Sequence, residues 1–257
     1  MFEFVGVEKR GATTVICLQR PRAHNALHPP AVAEIGHALD LFEADPDARV
    51  AIITGSGDQA FCAGFDLKYA EAHPQLYTEP MFGSEIVRRR NRSKPLIAAV
   101  NGLALGFGFE LALSCDLIVA SPSARFALPE ARVGLAAMAG GVARLTRELG
   151  PKAALGIVLT GRMVAAEEGL RLGFVNEVAH DSALEAALRW AEQIGAGAPL
   201  SLAASLEMAY ATLDDPQQAA ALDPRTYPSV MRVLGSEDAA EGRRAFIEKR
   251  APVWKAR

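Results

Sequence analysis

The stretch Pro95-Leu-Ile-Ala-Ala-Val-Asn-Gly-Leu-Ala-Leu-Gly-Phe-Gly-Phe-Glu-Leu-Ala-Leu113 decides the fold class. Asn101, Gly102, Gly106, Gly108 and Glu110 interrupt its apolar character. That makes it a poor membrane span and a good buried strand–turn–helix. Pro95–Val100 reads as a strand buried on both faces and Gly108–Cys115 as an apolar helix. The theme recurs outward along the chain. Val50-Ala-Ile-Ile-Thr54, Asp116-Leu-Ile-Val-Ala120 and Gly173-Phe-Val-Asn-Glu-Val178 read as further buried strands, and Thr13-Thr-Val-Ile-Cys-Leu18 as a β-branched one. Pro29 and Pro30 open a helix with Val32, Ile35, Leu39 and Phe42 on one face. Helical patterns also cover Gly141–Leu149, Pro151–Leu159 and Ala165–Leu172. Strands alternating with helices predict an α/β architecture.

From Ser182 the pattern becomes helical, with amphipathic segments at Leu184–Ile194, Ser201–Tyr210 and Glu237–Lys249. The small-residue run Ala196-Gly-Ala-Pro199 suits a boundary, which divides the chain into a core of residues 1–197 and a helical region of residues 198–257. Such a helical layer serves oligomerisation or packs back on its own domain.

Half of the 257 residues are hydrophobic, enough for a sizeable core, and the net charge is −3. That charge gives no reason to expect nucleic acid or an acidic membrane as partner. The basic run Arg88-Arg-Arg-Asn-Arg-Ser-Lys94 stands alone without stacking aromatics and reads as a solvated helix face. Cys17, Cys62 and Cys115 are odd in number and widely spaced, which fits a reducing compartment. The first residues lack a basic region and a cleavage site, so a cytoplasmic location is expected. The sequence has no CxxC pair, HExxH or histidine cluster, and no metal is expected.

The chemistry concentrates in two glutamates twenty positions apart, Glu110 and Glu130. Glu110 has no charged neighbour until Asp116, and Glu130 ends Arg125-Phe-Ala-Leu-Pro-Glu130. A lone carboxylate in apolar sequence is costly to bury unless it is paired, hydrogen-bonded or protonated. Two such groups beside small residues suggest acid–base chemistry; a salt-bridged or turn-capping carboxylate is the alternative for each one taken alone. Gly106-Phe-Gly108 lies where a strand gives way to a helix, whose N-terminus favours an oxyanion. Close helix–strand packing explains the same glycines. The glycine of Phe61-Cys-Ala-Gly-Phe-Asp-Leu67 either turns a backbone N–H toward a ligand or serves an ordinary turn. Cys62 within it reads as a small buried thiol. Tyr69–Gly83, with its prolines, reads as a loop near the pocket.

Phe61–Leu67, Ala99–Ala112 and Ala127-Leu-Pro-Glu-Ala-Arg-Val-Gly-Leu135 together resemble the enoyl-CoA hydratase/isomerase, or crotonase, family. Arg20-Pro-Arg-Ala-His-Asn-Ala-Leu27 and Glu241–Trp254 agree, so the resemblance spans essentially the whole chain. It implies a crotonase-like spiral of ββα repeats that binds acyl-CoA, followed by a helical trimerisation region, in a homo-oligomer that is a trimer or a dimer of trimers. It implies an oxyanion hole from the backbone N–H groups of Phe65 and Phe107. It also implies a water held between Glu110 and Glu130, with Glu130 as the proton donor to Cα and Glu110 as the water's partner. The implied reaction is hydration of a 2-enoyl-CoA to a 3-hydroxyacyl-CoA, as in fatty-acid oxidation. Double-bond isomerisation, dehydration of a hydroxyacyl-CoA and a non-catalytic acyl-CoA-binding role are the alternatives. Coenzyme A enters as part of the substrate, with no separate cofactor. The resemblance places Arg22, Ala23 and His24 at pantetheine and phosphate, and the Ala63 backbone at adenine. It adds Gly64, Asp66, Leu67 and Gly106 to the substrate site, and Phe246 and Lys249 near the CoA of a neighbouring subunit. Phe107 replaces the middle residue of a common Gly-Gly-Gly, Met138 a glycine at the water site, Phe65 a frequent alanine and His24 an apolar residue. The first three are expected to narrow or reshape the acyl pocket.

Overall fold

The computed structural model describes residues 2–77, 86, 92–214 and 224–257. These fall into two compact units, one within residues 1–89 and 96–191, the other within 90–95 and 192–257.

The first unit is built on two sheets. β1 (Val5–Arg10) turns through Gly11 at φ +61° into antiparallel β2 (Thr13–Leu18). Parallel to β2 follow β3 (Val50–Gly55), β5 (Leu96–Val100), β7 (Leu117–Ala120) and β10 (Glu177–Val178), in that spatial order. The smaller sheet takes the intervening strands: β4 (Ala60–Cys62), β6 (Leu103–Leu105) and β8 (Arg125–Ala127) are parallel, and β9 (Val164–Ala165) runs antiparallel to β8. Three successive passes, β3–β4, β5–β6 and β7–β8, each add one strand to each sheet before a helical segment follows. Every residue of β3 and of β5 is buried, as their unbroken apolar sequence requires of parallel strands covered on both faces.

Helix α1 (Pro29–Ala44) starts where the sequence predicts. The ring nitrogen Nδ1 of His28 accepts from the Ala31 N–H at 3.2 Å, and two prolines fill the first positions, where no intrahelical donor is needed. Val32, Ile35, Leu39 and Phe42 are buried. Phe109, Phe126 and Phe174 form a triangle with ring centroids 5.1–5.3 Å apart, locking the helix after β6 against β8 and the segment before β10.

The structure corrects several boundaries. Tyr69–Ala72 is helical rather than looped: α2 (Leu67–Ala72) is capped by the Asp66 carboxylate, and a 3-10 turn, Pro74–Tyr77, follows. Residues 78–83 of that expected loop lie outside the described residues. Of Gly173–Val178 only Glu177–Val178 is strand. Gly173, at φ +98°, instead caps α6 (Ala166–Leu172). Phe174 and Val175 are apolar because they pack on Gly169, not because they pair.

α7 (Ala183–Gly195) covers the predicted Leu184–Ile194. The second unit is helical, with α8 (Pro199–Asp214) packed against α9 (Pro228–Leu234), then α10 (Glu237–Glu248). α8 extends past the predicted Ser201–Tyr210 at both ends. Buried Asp238 accepts the N–H groups of Lys255 and Ala256 at 2.7 and 2.9 Å, tying the chain end back to α10. Arg92 donates to the Tyr210 hydroxyl at 3.2 Å, so this member of the basic run has a structural role; residues 88–91 of the run lie outside the described residues. Among the described residues, no helix is long and apolar enough to cross a membrane.

Candidate active site

Three consecutive passes of the smaller sheet each end at one cavity of about 570 Å3. The first pass, β4, leads into Ala63, Gly64 and Phe65. Gly64 has φ +101°, and a Cβ there would sit 2.6 Å from the Leu105 carbonyl, so this turn requires glycine on both counts. Leu27 clamps the turn: its N–H donates to Gly64 O at 2.7 Å and its carbonyl accepts from the Asp66 N–H at 2.8 Å. That bridge turns the Phe65 N–H away from Leu27. Ala63, Gly64, Phe65 and Leu67 line the cavity.

The second pass, β6, ends at Gly106, whose φ +53° and ψ −127° suit only glycine. Helix α3 (Phe107–Ser114) begins at the next residue, and all eight of its residues are buried. The position of a Cβ at Gly64 lies 3.4 Å from the Phe107 nitrogen, so the first two turns abut. Gly108 lies against the end of β4, where a Cβ would meet the Cys62 carbonyl oxygen at 2.1 Å. This glycine serves close packing, that at 106 serves backbone conformation, and that at 64 serves both. Phe107 belongs to the core, is 8% exposed and lines the cavity together with Gly106. Glu110, one turn along α3, points into the same cavity from a site only 2% exposed.

The third pass, β8, delivers Pro129 and Glu130, which opens a 3-10 turn, Glu130–Val133. Glu130 Oε2 is buried with no hydrogen-bond partner, and its carboxylate faces Gly106, where a Cβ would stand 3.0 Å from Oε1. Met138 borders the cavity at 61% exposure, so its bulk sits at the rim. The chain then enters α4 (Gly141–Leu149), whose first N–H donates to Glu110 Oε1 at 2.9 Å.

Burial pushes the Glu110 carboxyl up to about 7; the Gly141 N–H acts against this and the neighbouring Glu130 charge adds to it. Burial also raises the Glu130 pKa. One cavity thus holds two carboxylates that resist ionising together, one anchored by an amide and one with an unanchored oxygen. Such a pair can take a proton at one position and give one at another.

The remaining sequence-predicted residues lie elsewhere. Arg22 and His24 line a separate groove of about 370 Å3 with Asn25 and the Ser56–Ala60 turn. Ala23 lies in the 3-10 turn beside that groove. The Asp66 carboxylate is committed to the Arg20 guanidinium at 2.8 Å and to the Tyr69 N–H at 3.1 Å, which holds its pKa low against the opposing effect of burial. In the second unit, Phe246 is 86% exposed on α10 and Lys249 caps that helix at φ +52°. Cys62 is fully buried and its thiol is pushed up to about 12, which suits packing and not nucleophilic attack. Among the described residues, no group of three potential ligands could hold a metal ion.

Sequence reasoning missed Asn25 and Gly141. Asn25, buried at φ +55°, donates to the carbonyls of Ser56 and Ala60 and accepts from the Arg20 N–H. Its signal was an asparagine, tolerant of left-handed backbone, among turn residues. The signal for Gly141 was a Gly-Gly pair opening a helical pattern.

A family model described as enoyl-CoA hydratase/isomerase matches residues 8–257. The chain is 45% identical to a carnitinyl-CoA dehydratase of Salmonella typhi over 266 aligned residues, covering 100% of both. Among solved structures, an enoyl-CoA hydratase from Mycobacterium tuberculosis is 37% identical with a TM-score of 0.88, covering 99% of each chain. One from Bacillus anthracis is 30% identical with a TM-score of 0.90, covering 99% of this chain and 100% of its own.

Proposed function

Because the chain belongs to the enoyl-CoA hydratase/isomerase (crotonase) family, we propose that it interconverts a 2-enoyl-CoA and a 3-hydroxyacyl-CoA by adding and removing water. The observation that carries this reading is the pair of buried carboxylates in one cavity, Glu110 on the Gly141 amide and Glu130 with Oε2 unpartnered.

In the hydration direction, Glu110 takes a proton from water as the water oxygen bonds to Cβ. The electron pair of the Cα=Cβ bond shifts into the thioester as an enolate. Glu130, protonated beforehand, gives its proton to Cα as the carbonyl re-forms. The products are the 3-hydroxyacyl thioester, a protonated Glu110 and an ionised Glu130; proton exchange with solvent resets the pair, and dehydration runs the same steps backward. The reading assigns the developing enolate oxygen to the backbone N–H groups of Phe65 and Phe107. A donor of this kind contributes about 3–4 kcal/mol. Coenzyme A is carried as part of the substrate: Arg22, Ala23 and His24 hold its phosphates and pantetheine, the Ala63 backbone meets its adenine, and Asp66 braces that loop through Arg20. Phe246 and Lys249 reach the CoA of a neighbouring copy in a cytoplasmic homo-oligomer whose assembly residues 198–257 mediate.

A second, narrower reading concerns the acyl group. The 45% identity to a carnitinyl-CoA dehydratase favours a 3-hydroxyacyl chain ending in a trimethylammonium group. The cavity lining supports it: among the described residues it has two carboxylates and two phenylalanines and no lysine, arginine or histidine.

A substrate panel with product identification tests both: crotonyl-CoA, longer 2-enoyl-CoAs, their 3-hydroxyacyl partners and carnitinyl-CoA. Water addition or loss is expected, fastest with the trimethylammonium substrate on the narrower reading. Double-bond migration alone would make the protein an isomerase. Tight acyl-CoA binding without turnover of any member would make it a binding protein and end the hydro-lyase reading.

A further inference from the structure

Gly141 holds Glu110 through its backbone, as Ala139 also does. The Gly141 N–H meets Glu110 Oε1 at 2.9 Å. Its φ lies outside the left-handed region, so conformation alone would admit any residue at this first position of α4. Space would not. A Cβ at Gly141 would stand 2.7 Å from Glu110 Cγ, 3.1 Å from its Oε1 and 3.2 Å from Leu128 Cδ1. The nearest of these atoms belongs to the middle of the glutamate side chain, not to a free end. Glu110 is itself enclosed on a helix whose every residue is buried, and the open space it borders is the cavity, so it gives way toward the reacting groups.

The approach to Gly141 is also fixed. Arg144, one turn into α4, reaches back and donates to the Ala139 carbonyl at 2.9 Å. Its guanidinium covers Gly140, where a Cβ would meet Nη1 at 2.5 Å. The segment that aims the Gly141 amide is thus clamped by the helix it opens.

We propose that Gly141 is a positioning residue for the water-handling carboxylate: its bare backbone sets where Glu110 Oε1 stands, and any side chain there displaces the base from the reacting water. The proposal rests on the hydro-lyase reading for its kinetic consequence, though not for its geometry. A Cβ needs more than 3.4 Å for ordinary contact, so Glu110 must give way by several tenths of an ångström or more.

The test is Gly141→Ala, with Gly156→Ala as control. Gly156 lies in α5 (Pro151–Val158), where an added Cβ meets nothing within 4 Å. Gly141→Ala is expected to lower kcat about 10²-fold, the usual consequence of a misplaced catalytic group of roughly 1 Å, while KM stays within about threefold. Gly156→Ala is expected to leave both constants unchanged. Equal loss in kcat/KM through KM alone, or no loss, would overturn the proposal. A second arm is independent of turnover. Gly141→Ala should lower the melting temperature by roughly 2–10 °C in the wild-type background, and by less than about half of that when Glu110 is already alanine. An equal drop in both backgrounds would show that the added methyl meets something other than Glu110. If the wild type turns over no member of the panel, the reaction reading falls and the melting cycle alone decides whether Gly141 sets Glu110.

Discussion

Glu110→Gln should make the protein more stable at neutral pH while nearly abolishing its activity. The magnitude follows from the raised pKa. Below about pH 4.5 the carboxyl is protonated in folded and unfolded chains alike, and its titration costs nothing. Between 4.5 and about 7 the unfolded chain ionises first while the folded site keeps its proton, so stability falls as pH rises. The full cost is reached above pH 7 and comes to about 3 kcal/mol, at ~1.4 kcal/mol per unit. Glutamine keeps the shape, presents an amide oxygen to the Gly141 N–H and removes the charge. Between pH 5.5 and pH 8 the stability difference between variant and wild type should widen by about 2 kcal/mol, or roughly 4–8 °C in melting temperature. Thermal melts across that range, at fixed protein concentration, measure it. The rise should accompany a loss of about 10²–10⁴ in kcat, the trade between stability and a strained functional group. A difference that stays constant with pH, or a variant that melts lower at pH 8, would refute the assignment of a costly buried carboxylate.

Three further outcomes are expected. Glu130→Gln should also lower kcat by about 10²–10⁴, and an effect at Glu130 with none at Glu110 would favour isomerisation instead. Gly108→Ala gains about 1 kcal/mol of helix propensity but drives a methyl into the Cys62 carbonyl, an overpacking that costs about 1–3 kcal/mol or more, so its melting temperature should fall; a rise would refute the close contact. Iodoacetamide at pH 8 should leave Cys62 unlabelled in the native protein and reach it only after unfolding, since Cys62 is fully buried with its thiol pushed up to about 12; peptide mass spectrometry before and after unfolding reads the difference. Labelling of Cys62 in the native protein would refute the burial.

Much of this was legible in the sequence where one element carries its own signal. β3 and β5 show as unbroken apolar runs between turn residues, and α1 as two prolines before a clean helical stripe. Glu110 and Glu130 were visible because isolated carboxylates in apolar sequence demand an explanation. The smaller sheet was not legible: β4, β6 and β8 have three residues each, too few to show any period. Its strands exist because the neighbouring pass offers a partner, which is a property of the stack and not of the segment. Gly173–Val178 misled for the opposite reason, since Phe174 answers to packing against Phe109 and Phe126 and Val175 to packing on Gly169. The contact from Gly141 to Glu110 joins residues 31 positions apart, and nothing local announces it.

The placement of the three cavity-lining turns on adjacent strands turns the smaller sheet into a ruler. Cys62, Ala104 and Phe126 form one paired rung of β4, β6 and β8; Gly64–Phe65 and Gly106–Phe107 follow it by two and three positions and Glu130 by four, and the strands themselves stand one separation, ~4.8 Å, apart. A ligand that touches all three turns must lie across the strands. Length changes within a strand are therefore far more damaging than changes after it. One added residue in β6 would move its turn by ~3.3 Å along the sheet and reverse which side chains face the cavity, whereas altering the residue that follows the rung changes the chemistry and leaves the spacing alone.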